Sequence, residues 1–444
     1  MKYLRADRLP SEEATLGPIF HVGGVPVTEL AENYGTPFFV YDRAILDSKH
    51  QALKASLPAG VDIYYSVKAN PNLAILRHFV LRGCGLEIAS EGELLQALAS
   101  GCPVDRIVFA GPGKSERELE VAIRRGIGEI HVESMNEALR ISAICNRSAL
   151  RARVSVRVNP VGDSQGGAMR MGGKPAPFGI DEENLASAVR YLSSEPCFEF
   201  RGIHMFAGTQ ILDAEVLVRQ YRRCIEIARD VAKSIGRPLQ TVDFGGGLGI
   251  PYFEGERALD LETFKVQVAV LFDELRLDPN FLGTRYIVEP GRFLVGEAGI
   301  YVTRIVDIKE SRGKTFLIVD GGMNHHLAAS GNLGQTIKRN YPICLLQRMD
   351  SDTVEHVDVV GPLCTPLDTV GRNVRLPKGK IGELVGIFQS GAYARSASPL
   401  GFLSHPTPPE VWVDHGRHCL IRQRRDANEA TNDARIPAAM AVSS

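Results

Sequence analysis

Short apolar segments alternate with helix-like segments through the middle of this 444-residue chain. Eight of these segments have strand character, and they cover residues 62–67, 85–89, 106–109, 129–132, 153–158, 198–204, 241–244 and 285–288. Stretches with helical periodicity lie between most of them, for example residues 92–100, 115–125 and 214–235. Strands that alternate with helices form βαβ units and a parallel sheet. Eight such units predict an α/β fold in the form of a (β/α)8 barrel of the TIM type, rather than an open doubly wound sheet.

The pattern changes after about residue 290. Segments rich in β-forming residues and separated by turns follow at 299–306, 315–319, 357–360 and 382–388. They predict a C-terminal antiparallel β domain. The boundaries we expect are 1–36 for an N-terminal segment that contributes to the β domain, 37–289 for the barrel, 290–425 for the β domain and 426–444 for a disordered tail.

Bulk properties exclude several classes of function. The formal net charge of −1 argues against nucleic acid as a partner, because phosphate binding needs an excess of basic residues. No apolar run has the length of a membrane span, and the N-terminus lacks the apolar core of a signal peptide. The eight cysteines are scattered, without the Cys/His spacings of zinc sites. We therefore expect free thiols in the cytoplasm and no metal site.

A lysine follows the first predicted barrel strand. The apolar and aromatic run from Tyr64 leads into Lys68, and the Ala-Asn-Pro-Asn that comes next stops the strand. An α/β barrel has its chemistry at this end of its strands. Lys68 is either a residue that extends its ammonium outward to solvent or one that forms a Schiff base with an aldehyde cofactor.

Two motifs end late barrel strands. Residues 245–247 are three consecutive glycines, which expose backbone N–H groups and suit either a phosphate or a tight turn. Glu289 and Arg292 belong to the sequence Glu-Pro-Gly-Arg after the last strand. A carboxylate there can keep a pyridine nitrogen protonated, and the arginine can bind a phosphate or a carboxylate. The alternative for these two residues is a surface salt bridge at a turn.

Other polar residues have weaker patterns. His204 ends a barrel strand shortly before Thr209, and a histidine at such a place is either a core residue or a catalyst. Cys364 and Asp368 are framed by prolines in the predicted β domain, and Tyr393 lies beside a glycine. Buried cysteines are commonly small apolar residues, so packing is the alternative for these side chains.

Together and in this order, the motifs resemble those of the fold-type III pyridoxal-phosphate decarboxylases, the family of diaminopimelate, ornithine and arginine decarboxylases. The resemblance covers about residues 20–420. It implies a carboxy-lyase with a (β/α)8 barrel, a C-terminal β domain and bound pyridoxal 5'-phosphate. It also implies a head-to-tail homodimer with shared active sites.

The resemblance implies a role for each motif. Lys68 would form the Schiff base, His204 would stack on the pyridine ring, and Glu289 would pair with the ring nitrogen. The residues that would hold the phosphate are Gly245, Gly246, Gly247, Arg292 and Thr209, with help from Tyr393. Cys364 and Asp368 would reach the substrate from the partner subunit, where the cysteine protonates the carbanion.

The substrate motif departs from the family pattern. Diaminopimelate decarboxylases carry Cys-Glu-Ser-x-Asp, whereas this chain has Cys-Thr-Pro-Leu-Asp, so that Thr365 replaces a glutamate that contacts substrate. Arg292 and Tyr393 remain as candidate substrate residues. This motif and the Gly-rich segment that contains Arg170 resemble a subgroup that includes the butirosin-pathway decarboxylase of carrier-bound glutamate and the exosortase-associated decarboxylases.

The leading hypothesis is an α-decarboxylase of an acidic aminoacyl group on an acyl carrier protein in a specialised pathway. Arg170 and Lys174 would admit a phosphopantetheine arm or contact an acidic carrier; alternatively, they belong to a flexible surface loop. A second hypothesis is a meso-diaminopimelate decarboxylase of lysine biosynthesis, which acts on a free amino acid. A third, of another class, is a non-catalytic regulator that binds pyridoxal phosphate.

Overall fold

The computed structural model describes residues 19–161, 169–170, 175–206, 208–348, 354–432 and 434–437. Contacts within the chain divide it into two compact units. The first is Leu46–Gly296, and the second combines Met1–Ile45 with Glu297–Ser444. Among the described residues, no helix combines the length and the apolar character that crossing a bilayer demands.

The first unit is built around a closed parallel barrel. Its strands are β1 (Val61–Ser66), β2 (Gly85–Ile88), β3 (Ile107–Phe109), β4 (Glu129–Val132), β5 (Ala152–Asn159), β6 (Phe198–His204), β7 (Thr241–Asp243) and β8 (Arg285–Val288). Each strand pairs in parallel with the next, and β8 pairs with β1 to close the sheet. The (β/α)8 barrel predicted from the sequence is therefore confirmed.

The helix Arg43–Ser56 precedes the first strand of the barrel, and a helix follows each barrel strand after some further chain. These helices are Leu73–Val80, Glu91–Ala99, Glu116–Arg125, Met135–Ser148, Leu185–Ser194, Ala214–Ile235, Leu261–Arg276 and the short Arg292–Val295. Local sequence determines several of their ends. Ser115 and Glu118 form a capping box, and Gly126 ends the same helix in the left-handed conformation. Because all eight strands are parallel, their carboxyl ends lie at one rim of the barrel, where loops enter the helices.

The second unit contains a mixed β-sheet and a separate antiparallel pair of short strands, His21–Val22 and Val25–Pro26. The strands of the mixed sheet are Phe38–Asp42, Gly299–Ser311, Lys314–Val319, Ile343–Leu345, Val354–Val360, Thr369–Pro377, Leu384–Ile387, Glu410–Asp414 and Arg417–Arg422. The α-helix Val27–Tyr34 lies between the strands Val25–Pro26 and Phe38–Asp42 in the sequence. Most pairings are antiparallel, as predicted, but Lys314–Val319 runs parallel to Val354–Val360, and Phe38–Asp42 runs parallel to Glu410–Asp414. A cluster of buried aliphatic and aromatic residues, including Phe20 and Phe388, forms the core of this unit.

One strand lies in a different sheet from the one we expected. Phe38–Asp42 lies within residues 37–289, the range expected for the barrel, but it pairs with Gly299–Ser311 and with Glu410–Asp414 in the second unit. All five of its residues are buried. A fully buried strand has the same apolar pattern in either sheet, and its partners lie far away in sequence. The sequence pattern therefore could not identify its sheet.

Two features lie near the other expected boundaries. The contact-based division falls after Gly296, because the helix Arg292–Val295 belongs with the barrel. In the C-terminal segment, Ala427–Thr431 forms a short 3-10 turn that Asp426 and Glu429 cap. Residues 433 and 438–444 of that segment lie outside the described residues.

Candidate active site

The site is built from Lys68 outward. Lys68 lies in a 3-10 turn, Val67–Ala69, directly after β1. Its Nζ donates to Oε1 and Oε2 of Glu87, at 2.9 Å each. The Glu87 side chain is 1% exposed and that of Lys68 is 43% exposed. A fixed, buried carboxylate therefore orients a more accessible ammonium, and sequence reasoning missed this acid.

A second carboxyl group lies near this ion pair. Burial, followed by the charge of Glu87, raises the pKa of Glu93 to about 7, although Lys68 partly opposes the shift. Its Oε2 accepts a hydrogen bond from the backbone N–H of Ala89 at 2.7 Å. The neighbourhood of Lys68 thus contains one carboxylate in direct contact and one group that titrates near neutral pH.

The segment that holds Glu289 is joined to the lysine segment. Ser66 Oγ donates to the carbonyl oxygen of Glu289 at 3.0 Å, and Ser66 N donates to that of Pro290 at 3.2 Å. A Cβ at Gly291 would lie 2.9 Å from Cβ of Ala69, so only glycine allows this approach. Two motifs more than 200 residues apart in the sequence are therefore brought together by the pairing of β8 with β1.

His204 and Glu289 form a buried pair. Nε2 of the histidine lies 3.2 Å from Oε2 of the glutamate, and the two residues are 1% and 4% exposed. Burial lowers the pKa of His204 to about 4 although Glu289 acts in the opposite direction. Among the described residues, Oε1 of Glu289 has no hydrogen-bond partner. An acceptor of this kind suits a protonated ring nitrogen.

The three glycines form a narrow backbone cradle next to Glu289. Gly245 and Gly247 have φ angles of +65° and +108°, which side chains disfavour. A Cβ at Gly245 would lie 2.8 Å from the carbonyl oxygen of Met205, and one at Gly246 would overlap that of Glu289. The loop is therefore shaped for close approach of another group to its backbone.

Arg292 begins the short helix after Glu289. Its Nη1 donates to the hydroxyl of Tyr252 at 2.8 Å, and its guanidinium lies 5.3 Å from the centre of that ring. Tyr252 follows the glycine loop in the sequence. It thereby links the loop to Arg292, and the sequence did not indicate it.

Thr209 lies in a two-residue strand, Gly208–Thr209, next to the glycine loop. The carbonyl oxygen of Gly208 would lie 2.9 Å from a Cβ at Gly247, and Ile211 N donates to Gly247 O at 2.9 Å. This short strand pairs with Met169–Arg170. The side chain of Arg170 lies outside the described part of the chain, as do Lys174 and residues 162–168 and 171–173.

The remaining predicted residues belong to the second unit. Cys364 is exposed, Thr365 and Tyr393 are half-buried, and Asp368 is buried. Asp368 Oδ1 accepts from Met323 N at 2.6 Å, and its Oδ2 accepts from Leu363 N at 2.9 Å. Its carboxylate is thus occupied in holding the loop that carries Cys364.

Sequence comparison adds the family to this geometry. The family model described as "Pyridoxal-dependent decarboxylase, pyridoxal binding domain" matches residues 43–296. The chain belongs to the pyridoxal-dependent decarboxylases. This confirms the family resemblance drawn from the motifs and the assignment of the chain to an enzyme family of carboxy-lyases.

Individual decarboxylases show how far the similarity extends. The L-glutamyl-[BtrI acyl-carrier protein] decarboxylase of Niallia circulans is 37% identical over 406 residues, which cover 91% of this chain and 94% of that protein. The diaminopimelate decarboxylase of Methanothermobacter thermautotrophicus is 33% identical over 94% of this chain and 96% of its own. A solved diaminopimelate decarboxylase from M. jannaschii, in complex with L-lysine, superposes with a TM-score of 0.88 at 25% identity, covering 96% of this chain and 98% of its own.

Proposed function

We propose that this decarboxylase uses pyridoxal 5'-phosphate to remove the α-carboxyl group of an acidic aminoacyl group carried as a thioester on an acyl carrier protein. The observation that carries the proposal is the substitution of Thr365-Pro366 for the Glu-Ser of diaminopimelate decarboxylases. A thioester has lost one free carboxylate, so its site needs fewer distal anchors. Similarity over most of the chain to a decarboxylase of carrier-bound glutamate supports the same substrate class.

The chain's own residues fit the proposed cofactor. Bound pyridoxal phosphate supplies an electron sink for the bond that breaks at Cα. Among the described residues, Oε1 of Glu289 is a buried acceptor without a hydrogen-bond donor, and it suits the ring nitrogen. A side chain at any of residues 245–247 would clash, which leaves the backbone of this loop open to a phosphate, although the N–H of Gly245 already donates to Oδ1 of Asp243. Arg292 is connected to the segment after this loop by its hydrogen bond to Tyr252. Thr209 and Tyr393 would add contacts to the phosphate.

Each residue then has a defined task. Lys68 would hold the cofactor aldehyde through Nζ, which must first leave Glu87 and lose its proton. Glu289 would stabilise a protonated ring nitrogen, and His204 would contact the ring. Cys364 of the partner subunit, in a homodimer with shared sites, would supply the proton that replaces carbon dioxide at Cα. Asp368 holds the Cys364 loop in place.

A substrate panel with a matched variant tests this proposal. Wild-type protein and the double variant Thr365→Glu, Pro366→Ser are each incubated with glutamate and aspartate on a carrier protein, and with free meso-diaminopimelate. We expect wild type to prefer a loaded carrier and the variant to gain activity on the free amino acid. Fast turnover of free diaminopimelate alone by wild type would contradict the proposal.

The second candidate is a diaminopimelate decarboxylase of lysine biosynthesis. Retention of Arg292 and 33% identity to diaminopimelate decarboxylases favour it. The panel above separates it from the first. A non-catalytic regulator is disfavoured by the joint presence of Lys68, Glu289 and Cys364, because cofactor binding alone does not require an acid donor such as the cysteine.

A further inference from the structure

One side of the barrel interior is polar. The interior of such barrels is usually filled with branched apolar side chains. Here Tyr64, Val108 and Ile287 form an apolar cluster from β1, β3 and β8. Five polar side chains of β4, β5 and β7 are completely buried, namely Glu129, His131, Ser155, Thr241 and Asp243. Buried polar groups at this density are costly, so they need an explanation.

Most of these polar atoms lack partners. Among the described residues, the atoms without a hydrogen bond include both carboxylate oxygens of Glu129, both ring nitrogens of His131, and Oδ2 of Asp243. The hydroxyls of Ser155 and Thr241 also have none. Native proteins satisfy such groups, and ordered water does so where several converge. The cluster therefore has the character of an internal hydrated site.

His131 connects this cluster to the active site. Its ring stacks on that of His204, with centroids 4.3 Å apart and planes at 17°. Its Nε2 lies 3.8 Å from Oε1 of Glu129 and 3.8 Å from Oδ2 of Asp243. These separations are too long for direct hydrogen bonds but suit a bridging water. One face of His204 is thus covered by His131.

The chain of polar groups continues to the other end of the barrel. Glu129 is the first residue of β4, and its Oε2 lies 3.9 Å from Nη2 of Arg285, the first residue of β8. The Arg285 side chain is 29% exposed. These contacts form a spatial series of polar groups. At one end is the partly exposed guanidinium of Arg285, and at the other is Glu289, the proposed ligand of the ring nitrogen. Glu129, His131 and His204 lie between them.

We propose that His131 is a positioning residue for the Glu289–His204 pair, acting as the inner end of a hydrated polar chain that runs through Glu129 to Arg285. This inference rests on the proposed function, because the pair matters through the cofactor. Stacking fixes the plane of the His204 ring. The chain balances charge beneath Glu289, so that this carboxylate stays available as an anion.

The ring nitrogens of His131 matter because the groups around them are acidic. Three buried carboxyl groups, those of Glu129, Asp243 and Glu289, share a small volume. Burial and the proximity of Glu289 raise the pKa of Asp243 well above its usual range, which leaves two anions to compensate. The groups that face His131 and His204 are these three acids, Arg157 from β5, and Arg285 through Glu129. A phenyl ring at position 131 would keep the stacking contact with His204, but it could neither donate nor accept a hydrogen bond among these acids.

A double-mutant cycle tests the proposal on cofactor affinity. The variants are His131→Phe, which keeps a ring against His204, Glu129→Gln, which removes only the distant charge, and the combination. Val108→Ala is the control, because it damages the apolar side of the same barrel interior. The readouts are the dissociation constant for pyridoxal 5'-phosphate between pH 6 and pH 9 and the free energy of unfolding without cofactor.

We expect His131→Phe to weaken cofactor binding about tenfold and to change its pH dependence, in the range that outer-shell substitutions cause. Glu129→Gln should weaken binding in wild type but add nothing to His131→Phe, because it acts through His131. Val108→Ala should lower stability without changing affinity or its pH dependence. Affinity within twofold of wild type for His131→Phe, or additive effects of the two substitutions, would overturn the proposal.

Two further outcomes are decisive. His131, His204 and Glu289 place ligand atoms within 4.8 Å of one another. A stoichiometric transition metal in the purified protein would overturn the proposal, because it would occupy the nitrogens that the chain uses. Failure of wild type to bind pyridoxal phosphate would contradict the proposed function instead. In that case the same double-mutant cycle, measured on the free energy of unfolding, decides the inference. We expect the effects of the two substitutions to be non-additive, and additive effects would overturn the proposal.

Discussion

Nζ of Lys68 donates a hydrogen bond to each carboxylate oxygen of Glu87, and both bonds measure 2.9 Å. Glu87 lies on β2, and Lys68 lies in the turn directly after the adjacent strand β1, whose last residue, Ser66, is in register with Glu87. The carboxylate is buried and fixed, whereas the lysine is partly exposed. Glu87 therefore fixes the amine at the position from which it has to react.

Substitution of Glu87 should change how fast the cofactor attaches. An opposite charge favours the ammonium form, and Nζ must be neutral to attack an aldehyde. We expect Glu87→Gln, stripped of cofactor, to attach pyridoxal phosphate roughly two- to tenfold faster near pH 7. Stopped-flow absorbance measures this. Glu91→Gln, whose partner Arg117 is exposed, should behave as wild type. Slower attachment in Glu87→Gln would show that the acid assists the reaction.

The glycine loop predicts a steric effect. A Cβ at Gly246 would overlap the carbonyl oxygen of Glu289, so Gly246→Ala must displace the loop or the acid. We expect at least about tenfold weaker binding of pyridoxal phosphate, measured by equilibrium dialysis. Gly113→Ala is the matched control, because a Cβ there meets nothing within 4 Å. Equal affinities of the two variants would argue against a phosphate at residues 245–247.

His204 should make the cofactor-free protein sensitive to acid. Its pKa is about 4 in the folded protein and about 6.5 in the unfolded chain, so the folded state favours the neutral imidazole. The contribution of His204 to the free energy of unfolding is unchanged above pH 6.5. This free energy decreases as pH falls from 6.5 towards 4. Between pH 7 and pH 4.5 the loss amounts to about 2 to 3 kcal/mol.

Urea unfolding at those two pH values checks this prediction. His325 and His326 of the second unit also have lowered pKa values, about 3 in each case, and add to the acid sensitivity. The informative quantity is therefore the difference between wild type and His204→Asn. The variant should lose less stability on acidification. An identical pH dependence in both proteins would mean that His204 is not buried in its neutral form.

Asp368 should affect turnover rather than cofactor binding. Its two oxygens accept hydrogen bonds from Met323 N and Leu363 N, and an amide nitrogen in place of either oxygen would face a donor. We expect Asp368→Asn to lower kcat about tenfold through misplacement of Cys364, with KM and cofactor affinity little changed. Asp307→Asn, at an exposed position of the same unit, is the control. A rise in KM with kcat unchanged would instead identify Asp368 as a substrate contact.

The parts of the site that the sequence predicted are the parts encoded locally. Lys68, residues 245–247, Glu289 and Arg292 each follow a strand within a recognisable motif, and the barrel brings them together. Glu87 was missed because its significance depends on the register of β1 with β2, which no local pattern reports. His131 and Tyr252 were missed because each acts through a partner distant in sequence. The alternation of polar residues through Glu129, His131 and Glu133 was the available signal.

The central claim is that the substrate is tethered to a carrier protein. The most direct measurement places carrier-bound glutamate and free meso-diaminopimelate together with the cofactor-loaded enzyme, and follows both by mass spectrometry. We predict that the intact carrier loses the mass of one carbon dioxide while diaminopimelate persists. Conversion of diaminopimelate to lysine with the carrier unchanged would contradict the account.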